Sequence, residues 1–415
     1  MPRRVNRTYM SRARRRRRLL YLVAAVIVVV VLVIGGLAIG RSHGKQTASA
    51  GPTPTGRPTG KATVAARAPK PSPSAGWTGP PSSSTHLKLK KVIVSSQISP
   101  KSVVSTGTGE VWAQNMMYRH TITVYDSRTV KLIKTIPDKV NLATYGIKGH
   151  PGTVQGSPVE AAPTPDKRYM FVSQYSMYGD HFYREGHDVC SPSDNYDNSF
   201  VYRVSIPDLK IDNVAKVGAT PKYVAVTPDG KYLLVSNWCS YTVSIVNPRT
   251  CKQLKQIYLG PYPRGIAVDP QSHYAYIAVM GSFDIARVDL RTFKLSWVRW
   301  VGSSPRHLVM SRSGKYLYAT LNGEAHVVKI DLHTHRVLQR VYTGAEPRSM
   351  AMAPDGKSLY VVNYGANTMT KVRTSDMKVI QTVGTNALPI GITYDAPTHT
   401  VWVCCYTGSI MVFND

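Results

Sequence analysis

Five glycines, Gly218, Gly260, Gly302, Gly344 and Gly384, stand 42, 42, 42 and 40 residues apart, and each opens a segment written in the same grammar. A proline follows (Pro221, Pro263, Pro305, Pro347, Pro389), then an alternating apolar run such as Tyr223-Val-Ala-Val or Ser349-Met-Ala-Met. Next comes a turn, as in Pro228-Asp-Gly-Lys231 and Pro354-Asp-Gly-Lys357, whose Gly is free to take a left-handed conformation and whose Asp accepts bonds from backbone N–H groups. A second run (Tyr232-Leu-Leu-Val-Ser-Asn237), a third (Thr242-Val-Ser-Ile-Val) and a fourth (Leu254-Lys-Gln-Ile-Tyr-Leu) lead back to the next glycine. Period 2 dominates and no segment keeps a 3.6-residue apolar stripe, which excludes a helical solenoid. Four short antiparallel strands every 40 residues or so are the signature of a propeller blade.

A propeller must close, so the number of units matters. Two expanded units precede Gly218, one from Ile98-Ser-Pro100 and one from Gly156-Ser-Pro158, and with the later five they make seven. The last, 384–415, stops after three strands. The stretch Leu87 to Ser95 occupies the register of the missing fourth, and closing the last blade with it removes an exposed edge. The expectation is an all-β, seven-bladed propeller of four-stranded blades over 86–415.

The runs Pro221-Lys-Tyr-Val-Ala-Val-Thr-Pro-Asp-Gly-Lys-Tyr-Leu-Leu-Val-Ser-Asn237 and Pro347 to Asn363 resemble the YVTN-type beta-propeller repeats of prokaryotic surface proteins. The stretch at 263–269 is similar to NHL-type repeats, and lactonases share the architecture. The resemblance implies a seven-bladed propeller displayed on a cell surface and fixes no activity.

The N-terminal stretch differs from the repeats in its charge. Residues 1–18 hold nine arginines and no acid, and 19–40 are 22 residues without a charge, long enough to cross a hydrocarbon core of about 30 Å. A cleaved signal peptide is the alternative to an uncleaved anchor, but its apolar core is usually shorter, about 7–15 residues. The arginines place 1–18 in the cytoplasm and everything after residue 40 outside, as a single-pass cell-membrane protein. Residues 41–85, rich in Pro, Ser, Gly and Ala with six basic residues, read as a disordered tether. Of the formal charge of +29, +15 lies in 1–85, leaving +14 on the propeller. Outside the cell that balance favours anionic wall polymer, headgroups or a partner protein over nucleic acid.

The loop entering a blade's first strand and the loop between its second and third strands open on one face. On that face five of seven blades put a basic residue directly after the proline: Lys101, Lys222, Arg264, Arg306 and Arg348. Around a channel these would form a broken positive ring able to hold a carboxylate, phosphate or sulfate. The alternative is a solvated surface feature, or side chains paired to neighbouring blades. Two insertions, 139–154 and 174–198, fall on the same face, and the second carries His181, Glu185, His187 and Asp188. Their spacing matches no defined zinc or calcium pattern, so a polar loop over the channel is the expected reading. Outside the membrane disulfides persist, and Cys190 and Cys239 fall on matching loops of adjacent blades. Cys251 lies at a turn on the opposite face, and the adjacent Cys404 and Cys405 read as one thiol buried and one facing outward. Tyr118, Trp238, Tyr241, Phe283, Tyr364 and Tyr406 fall in the channel-face loops as stacking or capping groups.

No nucleophile elbow, phosphate-cradling Gly loop or His-Glu-x-x-His occurs. The expected function is therefore a non-catalytic binding module needing no cofactor. The alternative is a lactonase-type hydrolase with a divalent metal in the channel, whose ligands would be drawn from Glu160, Asn115, Asn237 and Asn363.

Overall fold

In the computed structural model, which describes residues 80–415, the strand-forming runs pair into seven antiparallel sheets among the described residues. Blade one is Ser102–Ser105, Glu110–Asn115, Thr121–Asp126 and Lys131–Pro137; blade two is Val154–Pro163, Tyr169–Tyr178, Asn198–Ser205 and Lys210–Ala219. Blades three to six begin their innermost strands at Pro221, Pro263, Pro305 and Pro347, where a residue without an N–H is tolerated at a strand's first position. Blade seven has Pro389–Asp395, Thr400–Cys405 and Ser409–Asn414, and its outer strand is Lys88–Val94, paired antiparallel to Ser409–Asn414. The seven-bladed fold and its closure by the N-terminal strand are thus as the sequence predicts. The basic tail, the apolar span at 19–40 and most of the tether lie outside the described residues. Among the described residues no helix is long and apolar enough to cross a membrane.

Ordered contacts among the described residues include residues before 86. Ser82–Ser84 form a short 3-10 turn, and Ser82 donates from its N–H (2.8 Å) and its Oγ (2.7 Å) to the Asp355 carboxylate in the blade-six turn. Neither insertion is all loop: in 174–198 the second strand of blade two runs on to Tyr178, and in 139–154 Lys139–Val140 add a fifth strand against Val154 and Gln155.

Tight approach of the inner strands requires glycine at two places. A Cβ on Gly265 would stand 2.7 Å from the Arg306 carbonyl oxygen, and one on Gly391 would stand 2.7 Å from the Ser102 Cα. Both are clashes with backbone, so these positions let adjacent inner strands lie side by side around the axis.

Each sheet is covered on both faces by its neighbours. Tyr360, Val362 and Met369 of blade six pack with Val401, Val403 and Phe413 of blade seven, whose opposite face packs Trp402, Cys404 and Ile410 onto Val103, Val111 and Tyr125 of blade one. This corrects the reading of the cysteine pair. Cys404 and Cys405 do point to opposite sides of one strand, but both sides are interblade core and both thiols are fully buried. Burial pushes the Cys405 thiol up to about 11, and Cys251 likewise to about 11, so all three thiols are held protonated.

Third-strand cations tie blade to blade. Arg203 donates to the Pro248 carbonyl (3.2 Å) and Lys329 Nζ to that of Thr374 (2.9 Å), each in the outer turn of the following blade. Lys371, at the same repeat position in blade six, donates to the Thr85 carbonyl (2.9 Å) and to the Asp415 carboxylate. Asp415 also accepts from Thr85 Oγ1 (3.2 Å) and from the Tyr360 hydroxyl, so one buried carboxylate joins the two ends of the propeller to blade six. Removing one partner of such a pair strands a charge in the core. Asp415→Asn or Lys371→Met should therefore cost about 3–5 kcal/mol in chemical denaturation. The double variant Lys371→Met/Asp415→Leu should recover most of that loss. A single-variant loss near the value of a surface pair, below about 1 kcal/mol, would show that the closure does not depend on this latch.

Candidate anion-binding cavity

The basic residue after each proline sits at a break in the strand ladder. Pairing shifts register between Pro221 and Tyr223, Pro263 and Ile266, Pro305 and Leu308, and Pro347 and Ser349, so Lys222, Arg264, Arg306 and Arg348 all occupy bulges. A bulge re-aims a side chain, and the repeat does so in the same direction each time. Together with Lys101 they line one cavity of about 690 Å³ at the channel mouth. They are not a solvated fringe: Lys101, Lys222, Arg264 and Arg306 are each 7% exposed or less, and Arg348 is partly buried.

Carboxylates meet only some of these charges. Arg264 Nη2 lies 3.0 Å from Glu160 Oε1, reaching across from blade four to blade two, and Arg264 Nη1 donates to the Lys222 carbonyl. Lys222 Nζ lies 2.6 Å from Asp188 Oδ1 and sits 4.0 Å from the centroid of the Trp238 ring. Arg348 pairs with Glu346 at 3.1 Å and lies over Tyr364. Arg306 donates to the Arg348 carbonyl, and among the described residues neither it nor Lys101 has a carboxylate within ion-pair distance.

The electrostatics follow from this crowding. Burial pulls the Lys222 ammonium down to about 8, with Asp188 opposing and Arg264 adding to the fall. Burial works to raise Asp188, but Lys222, with Lys101 and the Tyr175 hydroxyl, outweighs it and holds the carboxyl at about 2. Burial, then Arg264 and Arg348, work against the charge on Arg306. A guanidinium keeps its proton in proteins, so that cost stays in the folded state.

The blade-two insertion forms one wall. Cys190 and Cys239 are joined by a disulfide with Cα atoms 5.4 Å apart, as expected from their matching loops. Trp238 Nε1 donates to the Asp188 carbonyl (3.1 Å) and the Tyr241 hydroxyl to that of Cys190 (2.6 Å), fixing Asp188 over Lys222. The other acidic and imidazole groups of the loop do not converge. Glu185 lines the cavity, His187 Nδ1 accepts from the Val189 N–H (3.1 Å), and His181 Nδ1 lies 2.6 Å from the Gly149 carbonyl oxygen on the exposed side. Tyr118, Trp238, Tyr364 and Tyr406 line the cavity; Tyr241 and Phe283 do not. Tyr175, Tyr178 and His120 also line it, and none has a repeat position that would have marked it in the sequence.

The proposed channel ligands behave differently from their expected role. Asn115 donates to Thr123 (3.1 Å), Asn237 to Thr242 and Ser244 (3.0 and 2.9 Å), and Asn363 to Thr368 and Thr370 (3.1 and 3.0 Å). Each amide therefore clamps the hairpin between strands two and three of its own blade, and Glu160 is held by Arg264. Among the described residues no three His, Cys, Asp or Glu side chains cluster as a metal ligand set.

Below the ring the inner strands enclose a second cavity of about 500 Å³. There His307 Nδ1 accepts from the Met350 N–H (3.3 Å), which leaves Nε2 as the donor to the Tyr223 hydroxyl oxygen at 3.1 Å. Burial, with Arg264 and Arg306 nearby, pushes this imidazole down to about 3, so it is neutral and adds nothing to the ring's charge.

The disulfide generates a direct test. In a Cys190→Ser/Cys239→Ser variant stability should fall by about 2–5 kcal/mol, and limited proteolysis should cut within 179–190. Unchanged proteolysis would mean that the hydrogen bonds of Trp238 and Tyr241 hold the wall unaided.

Residues 208–386 match the family model of the YNCE-like beta-propeller. Among solved structures the chain is similar to Kuenenia stuttgartiensis Hydrazine Synthase, at 18% identity and a TM-score of 0.60, over 78% of this chain and 97% of that one. At that identity the likeness is one of fold. No curated protein matches this chain.

Proposed function

We propose that this seven-bladed propeller is a non-catalytic binding module, anchored outside the cell membrane by its N-terminal span, whose cationic cavity receives carboxylate or phosphate groups of an anionic envelope polymer. One observation carries the reading: five cationic side chains share a single cavity, and Lys101 and Arg306 have no carboxylate partner among the described residues. Burying like charges without compensation is costly, and a ligand that brings negative charge relieves that cost where a neutral one cannot. Tyr118 and Tyr406, which line the same cavity, offer flat apolar faces to the rings of a saccharide backbone.

A polyuronate, measured against a neutral glucan by calorimetry on the full chain, probes this reading. Arg306→Gln/Arg348→Gln removes two charges without orphaning the buried Glu160. At about 1.5–3 kcal/mol per hydrogen bond to a charged group, affinity should fall by roughly 100-fold or more, with a shallower salt dependence. Equal affinity and an equal salt slope would overturn the assignment of the site. The pH dependence has a definite sign. With Lys222 titrating at about 8, its positive charge is present below that pH and lost above it, so polyuronate affinity should decline as pH rises from 7 to 9. A Lys222→Gln variant should lose the part of that decline that belongs to Lys222.

A further inference from the structure

We propose that Lys101 is a nucleophilic amine that captures the carbonyl carbon of a small carboxylate-bearing aldehyde or ketone, of the 2-oxo acid class, as an imine inside the cationic cavity. This goes beyond polymer binding and rests on that reading only for where the carboxylate is held.

The ground is a comparison among the buried lysines. Lys222 has Asp188 at 2.6 Å, Lys329 has the Thr374 carbonyl at 2.9 Å, and Lys371 has Asp415 and the Thr85 carbonyl. A structural ammonium in a protein interior needs such acceptors, because it carries three protons and no lone pair. Lys101 is 7% exposed and lines the cavity, yet among the described residues its Nζ has neither a hydrogen-bond acceptor nor a carboxylate partner. Its charged neighbours include Arg264, Arg306 and Lys222, with Glu160 and Asp188 the opposing carboxylates. Burial first, then Arg264 and Arg306, drive its ammonium well below the ordinary lysine range. A lysine desolvated beside other cations gives up its proton more readily than an exposed one and is thereby activated as a nucleophile. Arg306, which has no carboxylate partner either, supplies the planar donor pair that a carboxylate accepts.

The step balances without a redox partner. The Nζ lone pair attacks the carbonyl carbon, forming a C–N bond and a carbinolamine. The nitrogen then loses a second proton as the former carbonyl oxygen leaves as water, and the C=N bond of the imine remains.

The test uses the full chain, pyruvate as probe and sodium cyanoborohydride to convert any imine into a stable secondary amine, read by peptide mass spectrometry at neutral pH. One adduct per chain is expected, on the peptide containing Lys101. Its rate should exceed that of exposed lysines by about tenfold for each pKa unit of depression, since the neutral fraction scales that way. Lys101→Arg, checked for folding by circular dichroism, should abolish it, and acetone, which lacks the carboxylate, should label far less. Lys101 left unlabelled, or labelled no faster than exposed lysines, overturns the proposal. Inorganic phosphate binding, measured by calorimetry on the same protein, separates the two readings. Phosphate bound with Lys101 unlabelled leaves the anion site standing and removes the imine. Lys101 labelled at a rate that phosphate does not slow keeps the imine and counts against the ring as an anion site.

Discussion

Every sheet in this molecule is covered on both of its faces, and that double coverage is the condition on which the rest depends. A single four-stranded blade has no solvent face to leave polar, so each blade requires two neighbours and an open ring would leave two apolar faces bare. The burden falls on the junction between the chain's described ends. There Lys88–Val94 completes the ladder of blade seven and the Lys371–Asp415 pair pins both ends to blade six. Lysine or arginine at one third-strand position serves this purpose in blades two, five and six, donating to the outer turn of the next blade or, in blade six, to Thr85 and Asp415 at the described ends.

A rigid ring makes a crowded cationic site possible. The inner strands cannot spread to relieve repulsion, because residues such as Gly265 and Gly391 already hold them in backbone contact. Repetition then sends the same position of each blade to the same mouth, and a bulge at that position aims its side chain inward. Positive charge accumulates there by symmetry, and it persists because the surrounding packing over-determines the geometry.

Much of this was legible from period and punctuation. The glycine spacing, the two expanded units before Gly218 and the incomplete last unit point to seven blades and their closure, and matching loops on adjacent blades favour the Cys190–Cys239 link. What was illegible depends on which strand faces are covered. Alternation along Thr400–Cys405 distinguishes two sides of a sheet but not core from solvent when both sides are core, so Cys405 could not be told from an outward thiol. The asparagines ending the second strands have the composition of ligands, yet they answer a local need: each satisfies hydroxyls across its own hairpin. Bulges, which decide where the basic residues point, leave no mark in composition.

Blade two breaks the symmetry, and the break gives the cavity a direction. Its Glu160 and Asp188 neutralise Arg264 and Lys222, in blades four and three, while blades two and seven offer the apolar Val159 and Ile390 where the other five offer a cation. The two basic groups left without a carboxylate partner among the described residues are Lys101 and Arg306, in blades one and five. An anion of the class proposed would meet these carboxylates on the blade-two side of the mouth and Arg306 three blades away, so the rim is not electrostatically equivalent all round. The insertion that carries Asp188 is thus more than a cover: pinned by the disulfide, it turns a ring of nearly equivalent charges into a site with two unlike sides.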